Sequence, residues 1–177
     1  MDKNLIKILK AGGVAVMPTD TIYGLVGQAL NRKAVKKINQ LKARPTNKHY
    51  IVLISSVNDL KKFGVKLSPQ TKKTLNLVWP GPVSVAFSNK MAFRLPRPAK
   101  LRALLKLTSP LIATSANLAG EKPAQTITEA KKYFGPKVDY YLAGKVKMGQ
   151  PSALIYLHQG LIKVLRPGQL PKNLDRL

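Results

Sequence analysis

Four short clusters combine hydroxyl, amide and cationic side chains at spacings that could hold a charged substrate. Pro18-Thr19-Asp20-Thr21-Ile22-Tyr23-Gly24-Leu25 crowds two hydroxyls, a carboxylate and a phenol into one turn between apolar runs. Residues of these types also build side-chain turns between strands with no ligand at all. Lys42-Ala43-Arg44-Pro45, with Lys48 close behind, ends a helical pattern. Cations there suit the helix dipole, but Arg44 could also clamp a carboxylate or phosphate through two parallel hydrogen bonds, with Lys42 as a second point charge. Ser115-Ala116-Asn117 follows an apolar run and offers donors for a nucleotide. Leu165-Arg166-Pro167-Gly168 puts an arginine beside a rigid Pro-Gly turn. The chemistry these sets share is the binding and alignment of anions.

Other chemistries are poorly supplied. The chain has no cysteine, which excludes disulfides, thiolate metal sites and cysteine nucleophiles. Two histidines, His49 and His158, cannot build a histidine-rich metal centre. Seven scattered carboxylates hardly supply the clusters of paired-carboxylate glycosidases or two-metal sites. No G-x-x-x-x-G-K-[ST] loop, no G-x-G-x-x-G after a strand and no G-x-S-x-G elbow occurs. Thirty-one Lys and Arg leave a formal net charge of +24, and only Asp59 is acidic between Asp20 and Glu121. A positive potential of that extent suits a polyanionic partner or substrate, though a solubilising lysine coat would have the same composition.

The elements that must position these clusters are readable as periodicities. Leu5, Ile6 and Leu9 mark a short amphipathic helix closed by Gly12-Gly13, and residues 14–17 read as a buried strand ending at Pro18. After an apolar run at 25–30, Ala34, Val35, Ile38 and Leu41 form one face of a helix with Lys33, Lys36 and Lys37 outside. Residues 51–54 are a strand, Ser56 with Asp59 caps a small helix, and Ser68-Pro69 opens another that runs to Trp79. Trp79-Pro80-Gly81-Pro82 must turn. Residues 83–87 and 92–95 pair as a hairpin, followed by a helix at 101–105, a strand at 111–114 and a helix capped by Thr126 and Glu129. Strands at 138–142, 153–157 and 161–165 complete a mixed α/β (α+β) domain with one partly antiparallel sheet.

These motifs, in this order, resemble the signatures of the YrdC family: P-T-D-T-I-Y-G-L at 18–25, K-A-R-P at 42–45, W-P-G-P at 79–82, S-A-N at 115–117 and L-R-P-G at 165–168. They extend over nearly the whole chain, and the match is to the single-domain type, so one domain over residues 1–177 is expected. The resemblance implies a twisted sheet with flanking helices around a large basic cavity. It also implies the activity of a threonylcarbamoyl-AMP synthase, which joins L-threonine, bicarbonate and ATP into threonylcarbamoyl-adenylate and pyrophosphate. Such a product serves a threonylcarbamoyl transferase partner that modifies position 37 of tRNA.

Carried onto this chain, the resemblance gives Thr19, Tyr23, Arg44 and Ser152 to the threonine and carbamate pocket. Lys42, Lys48, Ser115, Asn117 and Arg166 fall to the nucleotide, with Lys42 and Arg44 as the catalytic cations. Mg2+ would arrive with ATP, held by phosphate and water rather than by a protein metal site. Two segments depart from the family pattern: His49-Tyr50 replaces Pro-Leu, and Ser152-Ala153-Leu154-Ile155-Tyr156 replaces a Ser-Thr-Val stretch ending in aspartate. Strand alternation puts Tyr156 on the face of Ser152, roughly 13 Å further along, where a phenol in place of the family's aspartate would raise the Mg2+ requirement. The charge also fits a rival reading, a non-catalytic double-stranded RNA or tRNA-binding module of the same fold. No apolar run reaches the ~20 residues of a membrane span, so a cytoplasmic protein is the expectation.

Overall fold

The computed structural model describes residues 1–42, 50–87, 91–146, 149–158 and 161–171. Five α-helices, α1 (Lys3–Lys10), α2 (Arg32–Lys42), α3 (Pro69–Val78), α4 (Ala99–Thr108) and α5 (Ile127–Phe134), flank a nine-stranded sheet. The strands are β1 (Ala15–Pro18), β2 (Tyr23–Gln28), β3 (Tyr50–Leu53), β4 (Val83–Ala86), β5 (Met91–Arg94), β6 (Leu111–Ser115), β7 (Tyr140–Tyr141), β8 (Ala153–His158) and β9 (Leu161–Arg166). Their spatial order is β7-β1-β2-β6-β3-β5-β4-β8-β9. The pairs β1–β7, β3–β5 and β4–β8 are parallel, and the others are antiparallel.

Three of the helices, α1, α3 and α5, start on side-chain caps. Asp2 accepts from Leu5 N at the start of α1, and Ser68 from Thr71 N at the start of α3, where Pro69 needs no donor. Thr126 caps α5 through Glu129 N, while the Glu129 carboxylate reaches back to Gln125 N rather than to Thr126. Ser56 and Asp59 form the expected capping box on a 3-10 helix, Val57–Phe63, that ends at left-handed Gly64. The predicted strand at 138–142 shortens to the two paired residues of β7.

Alternation sorts the strand residues to two faces. Val16, Leu25, Val52, Val85, Phe93, Ile112 and Ile155 belong to the larger core. Ala15, Met17, Val26, Leu53, Leu111 and Ala113 meet Leu5 and Leu9 of α1 and Leu101, Leu104 and Leu105 of α4 on the other face. α2 lies very near the sheet because Gly27 has no side chain, and a Cβ there would stand 3.1 Å from Ala34 Cβ and 3.2 Å from Ile38 Cδ1. The face that α1 and α4 cover at β1, β2 and β6 carries different residues further across. There Arg94, Ser84, Ser152 and Leu154 point to the same side as Ala86 and Ala92.

Candidate active site

A cavity of about 540 Å³ opens on that side. Its walls include Thr19 and Thr21 from the β1–β2 turn, Lys42 from the end of α2, Ser115 and Asn117 beyond β6, and Arg94 from β5. Ser152 before β8, with Leu165 and Arg166 at the end of β9, completes them. Six of the nine expected site residues therefore converge from distant parts of the chain: Thr19, Lys42, Ser115, Asn117, Ser152 and Arg166. Arg44 and Lys48 lie outside the described residues, as does His49.

Lys42 is bound inward. Its Nζ donates to Ser115 O at 2.9 Å, Asn117 O at 2.5 Å and Asn117 Oδ1 at 2.6 Å. Ser115 Oγ donates to the same amide oxygen at 2.6 Å, and Asn117 Nδ2 donates to Glu121 O at 2.5 Å. The helix-end lysine thus fixes the shape of the 115–121 turn as well as placing a positive charge in the wall. Thr19 forms a side-chain turn, donating to Ile22 O at 2.7 Å while accepting from Thr21 N and Ile22 N at 3.3 Å each.

Arg166 is aimed by an irregularity. Leu154 pairs with Arg166 but Ile155 pairs with Val164, so Leu165 is an extra residue, a β-bulge that re-aims the strand end. Its Nε donates to Ser152 O at 3.0 Å and Nη2 to Ser152 Oγ at 3.2 Å, while Ser152 Oγ and Ser84 Oγ share a hydrogen bond of 2.9 Å. Gly168 then passes so near β8 that a Cβ would stand 2.6 Å from Ala153 N. Burial, and next the charge of Arg94, depress the Arg166 pKa.

Two tyrosines expected at the cavity lie away from it. Tyr23 is buried on the opposite face, and its hydroxyl donates to Gly144 O at 2.5 Å and accepts from Gly144 N at 3.0 Å. Alternation gives the cavity side to its neighbour Gly24, so Tyr23 anchors the 142–146 segment and does not line the cavity. Tyr156 shares the face of Ser152 but lies beyond the cavity, beside Ala86 and Ala92, with its ring stacked on His158 at 6.2 Å between centroids. It therefore gives no reason for an altered Mg2+ requirement.

The wall also holds residues that the sequence reading passed over. Arg94 sits in a strand read only as half of a hairpin, and it pairs with Asp20 at 2.8 Å with both side chains 5% exposed. The available signal was an arginine directly after the apolar run Met91-Ala92-Phe93 and before Leu95, in a chain with an acid placed among hydroxyls at position 20. Ser84, fully buried behind Ser152, had no signal beyond its place in a strand.

The described lining holds three cations, Lys42, Arg94 and Arg166, and no carboxylate or histidine. Among the described residues no group of three His, Asp or Glu is placed to hold a metal ion. The family model for Sua5/YciO/YrdC, described as telomere recombination, matches residues 7–168. The chain belongs to the Sua5/YciO/YrdC family. A Marinobacter nauticus protein named threonylcarbamoyl-AMP synthase is 31% identical over 166 residues, covering 85% of this chain and 87% of its own. The structure of P. abyssi Sua5 complexed with L-threonine superposes with a TM-score of 0.83 at 26% identity, covering 93% of this chain and 53% of that one. A variant of P. abyssi Sua5 gives 0.87 at 25% identity, covering 98% and 55%. The chain thus spans about half the length of these two Sua5 chains. Among the described residues no helix is long and apolar enough to cross a membrane.

Proposed function

We propose that this Sua5/YciO/YrdC chain is a threonylcarbamoyl-AMP synthase, a nucleotidyltransferase acting on L-threonine, bicarbonate and MgATP. The observation that carries the reading is the convergence of Thr19, Lys42, Ser115, Asn117, Ser152 and Arg166 on one cavity whose described walls are cationic. Among the described residues, the serines there have no adjacent histidine or carboxylate to activate them: Ser115 Oγ bonds Asn117 and Ser152 Oγ bonds Ser84. A reaction whose nucleophile comes from the substrate fits such walls.

The threonine amine bonds to the carbon of bicarbonate, and water leaves as the carbamate forms. A carbamate oxygen then bonds to the α-phosphorus of ATP while the bond to the β-phosphate oxygen breaks, and pyrophosphate leaves with that electron pair. The protein's task is to hold mutually repelling anions in line and to offset charge on the phosphates. Thr19 and Thr21 supply hydroxyl contacts on the threonine side. Ser115 and Asn117, held by Lys42, meet the nucleotide, and Arg166 on Ser152 faces the α-phosphate. Arg44 and Lys48 would add to these. Mg2+ travels with the triphosphate as part of the substrate, liganded by phosphate and water. The product is a reactive mixed anhydride, so a transferase partner would carry it to tRNA.

The test is product identification. With carbon-13 bicarbonate, mass spectrometry should show an adenylate carrying the label and the threonine mass. No labelled adenylate and no turnover of ATP would reject the reading and leave the non-catalytic RNA-binding module of the same fold.

A further inference from the structure

Ser84 stands behind the cavity wall and is hydrogen-bonded to a residue that forms it. It is fully buried in β4, and its Oγ lies 2.9 Å from the Oγ of Ser152, which lines the cavity. Among the described residues the Ser84 hydroxyl has no other hydrogen-bond partner. Its neighbours on the same face offer its proton nothing else. Leu154, its partner across β8, is apolar. Arg94, one step beyond the Val85–Phe93 pair on β5, carries only donors.

A buried hydroxyl has to place its proton on an acceptor, so Ser84 donates to Ser152 Oγ. Arg166 Nη2 donates to that same oxygen at 3.2 Å, since a guanidinium cannot accept. Both lone pairs of the Ser152 oxygen are then occupied by the protein. Its own proton is left for the cavity, where Ser152 can only donate.

We propose that Ser84 is a positioning residue: by donating to Ser152 it makes that hydroxyl an obligate donor toward an oxyanion in the cavity. The identity of the oxyanion rests on the synthase reading, which makes it an oxygen of the threonine-derived anion beside Arg166. Without the Ser84 oxygen, Ser152 keeps its place. Ala153 N still donates to Pro82 O at 3.1 Å, and Arg166 Nε still donates to Ser152 O at 3.0 Å. What Ser152 loses is direction, because its proton is free to turn back from the substrate.

Ser84→Ala, its fold checked by circular dichroism, should raise the KM for L-threonine about five- to tenfold, while kcat and the KM for ATP stay within about twofold. Ser84→Thr, which keeps the hydroxyl, should restore most of the loss. Ser152→Ala removes the donor itself, so adding Ser84→Ala to it should raise the KM for threonine by less than about twofold more. Losses that multiply in the double variant would overturn the assignment. So would a fall in kcat with the KM of every substrate raised alike, the mark of a residue that only supports the fold.

A second readout needs no turnover. Inorganic phosphate, against chloride at matched ionic strength, should raise the melting temperature of the unmodified protein and of Ser84→Thr more than that of Ser84→Ala. If no adenylate forms but this difference holds, the synthase reading fails and the role of Ser84 stands. If the shift is equal in Ser84→Ala and the unmodified protein, the role itself is wrong.

Discussion

Lys42 Nζ donates to three oxygens of the 115–117 turn, so removing it takes the shared donor from three half-buried acceptors. Lys42→Ala should therefore cost about 1–3 kcal/mol of stability, read from urea midpoints, as well as abolishing most turnover. Lys36→Ala, on the exposed side of the same helix, should change stability by less than about 0.5 kcal/mol. Residue types and their order were sufficient to single out Thr19, Lys42, Ser115, Asn117, Ser152 and Arg166, which the fold brings to one cavity. They could not tell which side of β2 the ring of Tyr23 takes, because a polar turn hides the start of the strand's alternation. Nor could they pair Arg94 with Asp20, seventy-four positions apart, since that contact exists only once β5 lies in the sheet.

The elements that aim these side chains make their own predictions. Arg166 depends on the bulge in β9 and on the tight passage of Gly168 over Ala153 N. Backbone cannot yield as a flexible side chain does, so Gly168→Ala should cost about 1–3 kcal/mol. It should also raise the KM for ATP by displacing Arg166, a change that initial-rate kinetics would register. At the 3-10 helix, Asp59 accepts from Ser55 N, Ser55 Oγ, Ser56 N and Lys62. Burial pushes its pKa up, but these donors more than offset that and hold it below the ordinary carboxylate value. Its stabilisation is present above that ordinary value and is lost as pH falls through the lower folded one. Asp59→Asn should thus lower the urea midpoint at about pH 7, with the difference from the unmodified protein shrinking below about pH 4. Helix caps and strand runs were legible because their causes are local. The bulge was not, because a one-residue slip between β8 and β9 leaves no mark in an apolar run such as Leu161-Ile162-Lys163-Val164-Leu165.

At the scale of the whole molecule, a net charge of +24 sets a field far beyond what one nucleotide needs. If that surface receives tRNA or duplex RNA, binding should tolerate sequence changes, and log affinity should fall linearly with log salt as phosphate counterions are released. Filter-binding titrations at several salt concentrations read the slope, and a salt-independent affinity would remove RNA from the list of partners. The fold class was legible at this scale, since mixed helix and strand periods with no strict alternation point to a partly antiparallel sheet. The cavity's position was not, because it depends on α1 and α4 covering only part of one face. Everything proposed about function turns on whether the cavity joins three substrates. The direct measurement is pyrophosphate release with threonine, bicarbonate and ATP omitted in turn, and with serine in place of threonine. Release should require all three, and serine should be the poorer substrate because it lacks a methyl group worth about 1–3 kcal/mol of discrimination. Equal release without threonine would contradict a threonylcarbamoyl-AMP synthase.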